Sequence, residues 1–346
     1  MSNKFIEYLN DYRIKCDDFF DGSGAKAFFS TFNLDDVMGE YIDALIRHSK
    51  GGKRIRACLV SLGYGLVKND KNAYDVLLPS LSYELFQTGI LAHDDIIDNS
   101  DYRRFKPSMH KDLGSGHNGV SKSICVGDLG IVAAIEIINM SSFDETIKLR
   151  AISHQNKVFS ATIAGELKDI EYSYCDTVAE KDILEMYRLK TAQYTVAGPL
   201  VLGAVLAGAD DEKIKIISDF GEAVGICFQI RDDILGMFGS EAKLGKSITS
   251  DMCEGKKTVL VSHFEAVADN EQKKKFYSAY GDENSTSSEL ETVRKLLVET
   301  GCLEYAEMLC KSYTDKANVL INLISDSFES RELLSDFLEY MTSRNN

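Results

Sequence analysis

Two short acidic clusters contain the side chains in this sequence that are best suited to chemistry. The first is His93-Asp94-Asp95-Ile96-Ile97-Asp98, in which Asp94 and Asp98 are four residues apart and share a face of a helix. The second is Gln229-Ile230-Arg231-Asp232-Asp233. Both follow apolar stretches, which predicts that they lie at the C-terminal ends of buried helices, where the helix dipole disfavours carboxylates. A solvated helix end would explain one such cluster, whereas two of them predict a shared divalent cation.

Neither cluster has the His and Cys composition of a zinc or iron site, so Mg²⁺ is the predicted ion. A magnesium cluster on carboxylates usually binds phosphate groups as well. Basic residues alternate with the acidic clusters and would complete such a site; they lie in Gly51–Arg56, Asp101–Pro107, Lys190-Thr191 and Gly245–Lys257. Each alone is typical of a solvated surface charge, but the set predicts recognition of a phosphate-bearing substrate.

The elements that carry these residues are predicted to be helices. The chain has 346 residues, 44% of them apolar, and only three Pro, which argues against disorder and against a long β-sandwich or barrel. Its formal net charge is 39 − 54 = −15, which argues against a general nucleic-acid binder. We therefore expect one all-α domain over residues 1–346, with the motifs in about 45–265 and further helices in 266–346.

Local signals predict where several helices begin and end. Pro79 suits the first turn of the helix that leads to the first acidic cluster. Ser288 and Glu291 have the spacing of a capping box, which would open a helix that Gly301 ends. Further helices are expected at Cys302–Asp326 and Ser330–Met341. Lys190-Thr191 is predicted in a helix that Pro199 kinks.

The cysteines and the N-terminus favour a cytoplasmic protein. The eight cysteines are scattered and form no Cys-x-x-Cys pair, so we expect isolated, buried thiols. The first ten residues contain no basic cluster followed by an apolar stretch, so no signal peptide is predicted. The longest apolar run, 196–209, is too short to span a bilayer, so no transmembrane segment is predicted.

In this order and spacing, the motifs resemble those of the trans-isoprenyl diphosphate synthases, the polyprenyl synthetase family. The resemblance covers about residues 50–260 and rests on Gly51–Arg56, Asp94–Asp98, Arg103-Arg104, Lys190-Thr191, Gln229–Asp233 and Gly245–Lys257. It implies an all-α, isoprenoid-synthase-type helical bundle with a central active-site cavity, assembled as a homodimer. It also implies a prenyltransferase that condenses isopentenyl diphosphate with an allylic diphosphate, with three Mg²⁺ ions bridging the allylic diphosphate to the aspartates.

The resemblance implies a role for each matching residue. The metal ligands would be Asp94 and Asp98 for two ions and Asp232 for the third, with Asp95 and Asp233 as supporting carboxylates. The allylic diphosphate would be contacted by Arg103, Lys190, Gln229, Lys246 and Lys256, with Thr191 beside the reacting carbon. Isopentenyl diphosphate would be held by Lys53, Arg56, Gln87 and Arg104.

Two positions depart from the family pattern. Gly236 stands where the second motif often has a third Asp, which would weaken the support for the metal. Phe105 follows the two arginines, where the family usually has Gly. If the backbone there has a positive φ, Phe105 is strained.

The helix before Asp94 is expected to line the tunnel for the growing hydrocarbon, and Phe86, Gly89 and Ile90 are the candidate chain-length residues. Gly89 would leave its level of the tunnel open, and Phe86, about one turn or roughly 5 Å deeper, would form the floor. This pattern favours a geranylgeranyl diphosphate product, with farnesyl and medium- or long-chain polyprenyl products as alternatives. Phe86 in the core, without influence on product length, is the competing interpretation.

Two functions of other kinds use similar residues. A class I terpene cyclase shares an aspartate motif and Mg²⁺ but takes only one diphosphate, so it has no need of Lys53, Arg56 and Arg104. A non-catalytic partner subunit would have lost aspartates or basic motifs, whereas these are intact here apart from Gly236 and Phe105.

Overall fold

The computed structural model describes residues 3–68, 76–239, 250–282 and 284–343, and within these ranges the chain is mainly helical, with two short strands. The all-α prediction is confirmed. The chain divides into two compact units, the first Met1–Gln155 with Pro199–Ile214 and the second Asn156–Gly198 with Lys215–Asn346. The single domain over 1–346 stays a prediction. Among the described helices, none is both long and apolar enough to cross a membrane.

The elements follow one another along the chain with short connections. Those up to residue 173 are α1 (Lys4–Asp21), α2 (Gly24–Ser30), a 3₁₀ turn (Asp36–Met38), α3 (Gly39–Ser49), α4 (Ile55–Lys68), α5 (Leu77–Ile97), β1 (Tyr102–Arg103), β2 (Lys106–Pro107), α6 (Met109–Asp112), α7 (Gly116–Asn139) and α8 (Glu145–Ser173). The later ones are α9 (Glu180–Tyr187), a π-helical segment (Arg188–Ala197), α10 (Gly198–Leu206), α11 (Asp211–Phe238), α12 (Ser250–Cys253), α13 (Val259–Val267), α14 (Asn270–Tyr277), α15 (Ser287–Glu299), α16 (Cys302–Ile324) and α17 (Phe328–Thr342).

The core of the first unit includes α5, the helix that carries the first acidic cluster. Leu85 and Phe86 of α5 are fully buried. At Gly89 the backbones of α5 and α7 touch, because a Cβ on Gly89 would lie 2.6 Å from the carbonyl oxygen of Gly127 and 3.1 Å from Cγ1 of Ile131. A side chain at position 89 would therefore have to push the two helices apart.

The second unit contains the π-helical segment Arg188–Ala197, where the sequence predicted an α-helix kinked at Pro199. The irregularity precedes Pro199, which is the second residue of α10. Gly221 and Gly225 of α11 face Ala197 and Ala192 without room for a Cβ, so α11 packs directly on this segment. Wide helical turns of this kind are frequent at functional sites.

The C-terminal helices α16 and α17 agree with their predicted bounds within two residues. Gly301, at φ 75°, follows the end of α15 as predicted. The predicted capping box was wrong by two residues, since it joins Thr286 to Glu289 rather than Ser288 to Glu291. Thr286 has an extended backbone, whereas Ser288 already lies inside the helix, so only Thr286 can serve as the N-cap.

The prediction of eight isolated, buried thiols was wrong in two respects. Cys227 of α11 and Cys310 of α16 form a disulfide across 83 residues of sequence, and Cys125 and Cys175 are exposed. The disulfide depends on how α11 and α16 pack, which no local spacing reveals. Cys16, Cys58 and Cys302 are buried, as predicted.

Candidate active site

The first acidic cluster lies at the end of α5, as predicted. The helix ends at Ile97, and its C-cap Asp98 donates its N–H to the carbonyl oxygen of Asp94 at 2.8 Å. Asp95 is only 3% exposed, whereas Asp94 is half-buried and Asp98 is exposed. Asp94 and Asp98 are therefore accessible to a hydrated ion, and Asp95 is not.

Arg103 neutralises two carboxylates of this cluster at once. Its Nε donates to Oδ1 of Asp95 at 2.6 Å, and its Nη2 donates to Oδ2 of Asp94 at 2.7 Å. Burial raises the pKa of Asp95, and the Arg103 guanidinium opposes that shift. Arg103, an expected contact of the allylic diphosphate, thus lies beside a predicted metal ligand.

Arg103 belongs to a β-hairpin that the sequence analysis did not anticipate. The strands β1 and β2 pair antiparallel, with Arg103 opposite Lys106. The connecting loop is Arg104-Phe105, with φ values of 51° and 63°. Two central residues with positive φ are typical of a type I′ turn, in which Asn and Gly are preferred. Phe105 therefore has a positive φ, which is unfavourable for a residue with a Cβ. Its side chain is 88% exposed.

Replacing Phe105 by Gly is expected to stabilise the protein by about 1 kcal/mol, because the left-handed conformation costs an L-residue roughly 1–2 kcal/mol. The matched control is Phe105→Ala, which removes the exposed ring but keeps the Cβ at positive φ. It should change the free energy of unfolding by less than about 0.5 kcal/mol. Urea unfolding of the three proteins measures the difference, and equal shifts for Gly and Ala would assign the effect to the ring instead of the backbone.

The basic motif before α4 divides into an exposed and a buried part. Lys53 is exposed and Arg56 is half-buried, whereas Arg54 is only 3% exposed. Arg54 donates to Asp17 and to Glu84, each at 3.0 Å. Arg54 thus has a structural role, and the expected contacts of isopentenyl diphosphate, Lys53 and Arg56, are more accessible.

Arg104 lies against the same motif. Its Nη1 donates to the carbonyl oxygen of Gly51 at 3.4 Å, and a Cβ on Gly52 would lie 3.6 Å from that nitrogen. Burial lowers the pKa of Arg104, Glu84 opposes the shift, and Arg103 adds to it. An anion beside Arg104 would favour the charged guanidinium, which is consistent with a diphosphate contact.

A cavity of about 360 Å³ lies between α3, α5, the hairpin and α6 in the first unit. Thr88, Leu91, Ala92 and Asp95 line it from α5. Among the predicted site residues of this unit, Asp95, Arg103 and Arg104 line the cavity, and Lys53, Arg56, Gln87, Asp94 and Asp98 do not. The cavity wall therefore contains the Asp95–Arg103 pair but not the predicted metal ligands.

The second acidic cluster lies on α11, but not at its end. α11 continues to Phe238, because Ile234 and Met237 extend the buried stripe past the cluster. The prediction of a C-terminal position was therefore wrong by more than one turn. Asp232 is half-buried, and Gly236 follows it by four residues on the same helix without adding a carboxylate.

A chain of hydrogen bonds links the second cluster to the π-helical segment. Thr191 Oγ1 donates to Oε1 of Gln229 at 2.6 Å, and Gln229 Nε2 donates to Oδ1 of Asp233 at 2.9 Å. The other oxygen of Asp233 accepts from the hydroxyl of Tyr187, which in turn accepts the N–H of Val259 at 3.1 Å. Three predicted residues are thus brought together, and Tyr187 joins them without any signal in the sequence.

Lys190 is paired with two carboxylates that the sequence analysis missed. Its Nζ lies 2.5 Å from Oδ2 of Asp169 and 2.9 Å from Oε2 of Glu166. Burial lowers the pKa of Lys190, but the two carboxylates outweigh it and the pKa is raised. The available signal was Gly165-Glu166-x-x-Asp169, which places two acids on one helix face directly after a glycine. In the structure a Cβ on Gly165 would collide with the backbone of Lys190.

The last two basic residues of the predicted set, Lys246 and Lys256, follow α11 in the sequence. Lys256 Nζ is 3.3 Å from Oε2 of Glu254, and its carbonyl oxygen accepts from the hydroxyl of Tyr280 at 2.5 Å. Lys246 lies outside the described residues.

The carboxylates fit a magnesium site of a particular kind. In the described part of the chain, no three His, Cys, Asp or Glu side chains are grouped closely enough to hold a metal ion by themselves. Asp94 and Asp98 nevertheless offer hard oxygen ligands on one accessible helix face. Mg²⁺ is typically held by one or two carboxylates together with waters and substrate phosphates. The donor set therefore fits an ion that binds together with a diphosphate.

The chain-length candidates have different environments. Phe86 is fully buried and Ile90 is half-buried. The expectation that Gly89 leaves space in a tunnel is contradicted, because its missing side chain would point at the backbone of α7. Periodicity on α5 cannot distinguish a tunnel wall from a helix–helix contact, since both are apolar.

Comparison with known proteins points in one direction. The sequence profile of the polyprenyl synthetase family matches residues 37–297. A short chain isoprenyl diphosphate synthase of Methanocaldococcus jannaschii is 31% identical over 90% of this chain and 93% of its own length. A geranylgeranyl diphosphate synthase of Methanosarcina mazei is 32% identical over 85% of this chain and 86% of its own.

Solved structures agree with the sequence matches. The crystal structure of geranylgeranyl pyrophosphate synthase from Corynebacterium glutamicum, complexed with isoprenyl diphosphate and magnesium, superposes with a TM-score of 0.86 at 28% identity. The superposition covers 98% of this chain and 99% of that one. The all-α isoprenoid synthase fold expected from the motifs is thereby confirmed.

Proposed function

This chain belongs to the polyprenyl synthetase family, and we propose that it is a Mg²⁺-dependent prenyltransferase that condenses isopentenyl diphosphate with an allylic diphosphate. The condensation is head to tail, and the double bond that it forms is trans. The observation that carries the proposal is that one family-matched segment, 37–297, contains both aspartate motifs and every basic motif in order. The family relatives are prenyl diphosphate synthases, which are transferases. A class I terpene cyclase is disfavoured, because it needs no second diphosphate site.

Asp94, Asp98 and Asp232 are the proposed metal ligands, with three ions per active site. When bound, Mg²⁺ supplies positive charge that stabilises the departing diphosphate. Arg103, Lys190, Gln229, Lys246 and Lys256 are the proposed contacts of the allylic diphosphate. Lys53, Arg56, Gln87 and Arg104 hold isopentenyl diphosphate, so that its double bond is close to the allylic carbon as the carbon–oxygen bond breaks.

The hydrogen-bond chain on α11 orients Thr191 for this reaction. Because the Thr191 hydroxyl donates its proton to Gln229, the lone pairs of its oxygen are left to face an electron-poor carbon. Gln229 is fixed in turn by Asp233. The Thr191 oxygen and the Lys190 carbonyl can therefore stabilise the allylic cation. Loss of a proton to the released diphosphate completes the condensation.

The proposal is tested by incubating the protein with isopentenyl diphosphate, Mg²⁺ and dimethylallyl, geranyl or farnesyl diphosphate, followed by chromatography of the products. We expect chain elongation that stops when Mg²⁺ is chelated. Absence of condensation with every primer would reject the proposal. Diphosphate release from a single allylic substrate without isopentenyl diphosphate would favour the cyclase.

Geranylgeranyl diphosphate is the proposed product, and Phe86 is the residue proposed to limit its length. Phe86→Ala is expected to shift the product towards longer chains by one or more prenyl units. Because Phe86 is fully buried, the variant should also lose about 3–5 kcal/mol of stability. Leu85→Ala is the matched control, since Leu85 is equally buried on the same helix and should lower stability without lengthening the product. An unchanged product spectrum for Phe86→Ala would reject the role.

A homodimer is proposed from the family resemblance and from an exposed apolar face on α7. Ile124 and Val132 lie two turns apart on this helix and are 42% and 59% exposed. Val132→Lys is expected to lower the association constant of the dimer, measured by sedimentation equilibrium, by at least tenfold. Val319→Lys, at a 68% exposed position of α16, is the control that should leave association unchanged.

The cytoplasmic location stays a prediction.

A further inference from the structure

We propose that Asp95 is a positioning residue for Arg103. In this proposal Arg103 contacts Asp94 only until a diphosphate binds to Arg103 and replaces Asp94 as its partner. The inference rests on the proposed function, because it concerns how the first acidic cluster takes up its ion and its substrate. In this arrangement Asp95 is a fixed anchor, Asp94 is an exchangeable partner, and the Arg103 guanidinium passes one of its nitrogens from Asp94 to the incoming diphosphate.

The first support is the geometry of the guanidinium. One planar group spans two adjacent carboxylates, with Nε on Asp95 at 2.6 Å and Nη2 on Asp94 at 2.7 Å. Because these bonds use different nitrogens and Asp94 is a separate, partly exposed side chain, rotation of the Asp94 side chain can break the contact with Nη2 while the contact of Nε with Asp95 is kept. Arg103 can thus change one partner without losing the other.

The second support is that the two contacts differ in what it costs to break them. The Asp95 side chain is 4% exposed, so without Arg103 its carboxylate would be buried and unpaired, which is strongly unfavourable. The Asp94 side chain is 28% exposed, so water or a cation can replace the guanidinium there. The Asp94 contact is therefore the one that exchanges.

The third support is that the backbone beneath Arg103 is fixed. Arg103 pairs with Lys106 in the hairpin, and Ser108 donates its N–H to the carbonyl oxygen of Asp101 at 3.0 Å at the base of the hairpin. A change of partner therefore requires movement of side chains only. The arginine is aimed at the acidic cluster by the hairpin and held at a defined distance by Asp95.

A consequence is that metal and diphosphate bind cooperatively. In the free protein Arg103 competes with a cation for Asp94, so the affinity for the metal alone is low. A diphosphate offers Arg103 another anion and makes Asp94 available, so each ligand strengthens the binding of the other. Couplings of this kind typically amount to between fivefold and 150-fold in affinity.

The test uses Mn²⁺ as a paramagnetic probe in place of Mg²⁺, and measures its dissociation constant for the full-length protein by electron paramagnetic resonance. Arg103→Gln is expected to bind Mn²⁺ alone about tenfold more tightly than the unaltered protein, and to lose most of the gain that inorganic pyrophosphate produces. Arg104→Gln is the matched control. It removes the same charge from the next residue, whose side chain does not contact Asp94. Its Mn²⁺ affinity should rise by less than about threefold.

A double-mutant cycle distinguishes a positioning role for Asp95 from a merely structural one. Asp95→Asn releases the anchor, so Arg103 can turn fully to Asp94 and the affinity for Mn²⁺ alone should fall about threefold to tenfold. In the Arg103→Gln background the same Asp95→Asn change should lower the Mn²⁺ affinity less, by under about threefold, since only the loss of its own charge remains. Melting curves of all variants identify any that fail to fold, and Arg103→Lys, which keeps the charge on a single nitrogen, then replaces Arg103→Gln.

The proposal is overturned if Arg103→Gln binds Mn²⁺ no more tightly than Arg104→Gln, or if Asp95→Asn has the same effect with and without Arg103. These binding measurements do not depend on prenyl transfer. Failure of the condensation assay with intact Mn²⁺ coupling would therefore reject the proposed function alone, whereas condensation without the coupling would reject only this inference.

Discussion

Replacing Asp94 by Asn should lower kcat by about a thousandfold, equivalent to about 4 kcal/mol of transition-state stabilisation. Asp94 is the proposed ligand that is both accessible and on the same helix face as Asp98. Asn keeps the size of the side chain but has lost the charge that a hard cation requires. The result is measured as steady-state turnover with saturating isopentenyl and allylic diphosphates over a range of Mg²⁺ concentrations.

Two neighbouring substitutions show whether the loss is specific to a ligand. Asp95→Asn should reduce kcat by roughly 10–100-fold, as is usual for groups that orient a ligand or a binding residue. Asp233→Asn should also cost much less than Asp94→Asn, because Asp233 is 8% exposed and contacts Tyr187 and Gln229. Equal losses in all three variants would contradict the assignment of Asp94 as a metal ligand.

Replacing Arg54 by Met should destabilise the protein by about 3–5 kcal/mol, because it leaves the buried Glu84 carboxylate without its cation. Arg54 donates to Asp17 and Glu84 at 3.0 Å, and its guanidinium lies 4.8 Å from the centre of the Phe20 ring. Glu84 is itself only 8% exposed, so its charge cannot be solvated once the guanidinium is gone. Urea unfolding monitored by circular dichroism measures the loss.

The matched control is the adjacent residue of the same motif. Lys53→Met removes an exposed charge and should change the free energy of unfolding by less than about 0.5 kcal/mol. It should instead raise KM for isopentenyl diphosphate, since Lys53 is a proposed contact of that substrate. A large loss of stability for Lys53→Met, or a small one for Arg54→Met, would reverse the two assignments.

The Gly51–Arg56 motif shows why the sequence could predict the kind of site but not the task of each residue. Three cations within four residues indicate anion binding, yet only the packing of α4 against α1 and α5 turns Arg54 inwards to Asp17 and Glu84. Gly89 gives the same lesson for an apolar helix. Its place on α5 is consistent with a tunnel wall, and the close approach of α7 shows that it is a helix contact.

The sequence by itself determined the all-α fold, the family, the two aspartate motifs and the basic residues between them. These depend on local spacing, charge and periodicity, which the chain carries wherever it folds. Only the tertiary structure decided the partners of those residues: Arg103 across Asp94 and Asp95, Lys190 between Glu166 and Asp169, Tyr187 on Asp233, and the disulfide from Cys227 to Cys310. Most of these partners lie on helices that are distant in the sequence. Arg103 instead reaches its partners from a hairpin whose turn has an unusual backbone conformation. Their contacts depend on how whole elements pack, a property that no short pattern of residues encodes.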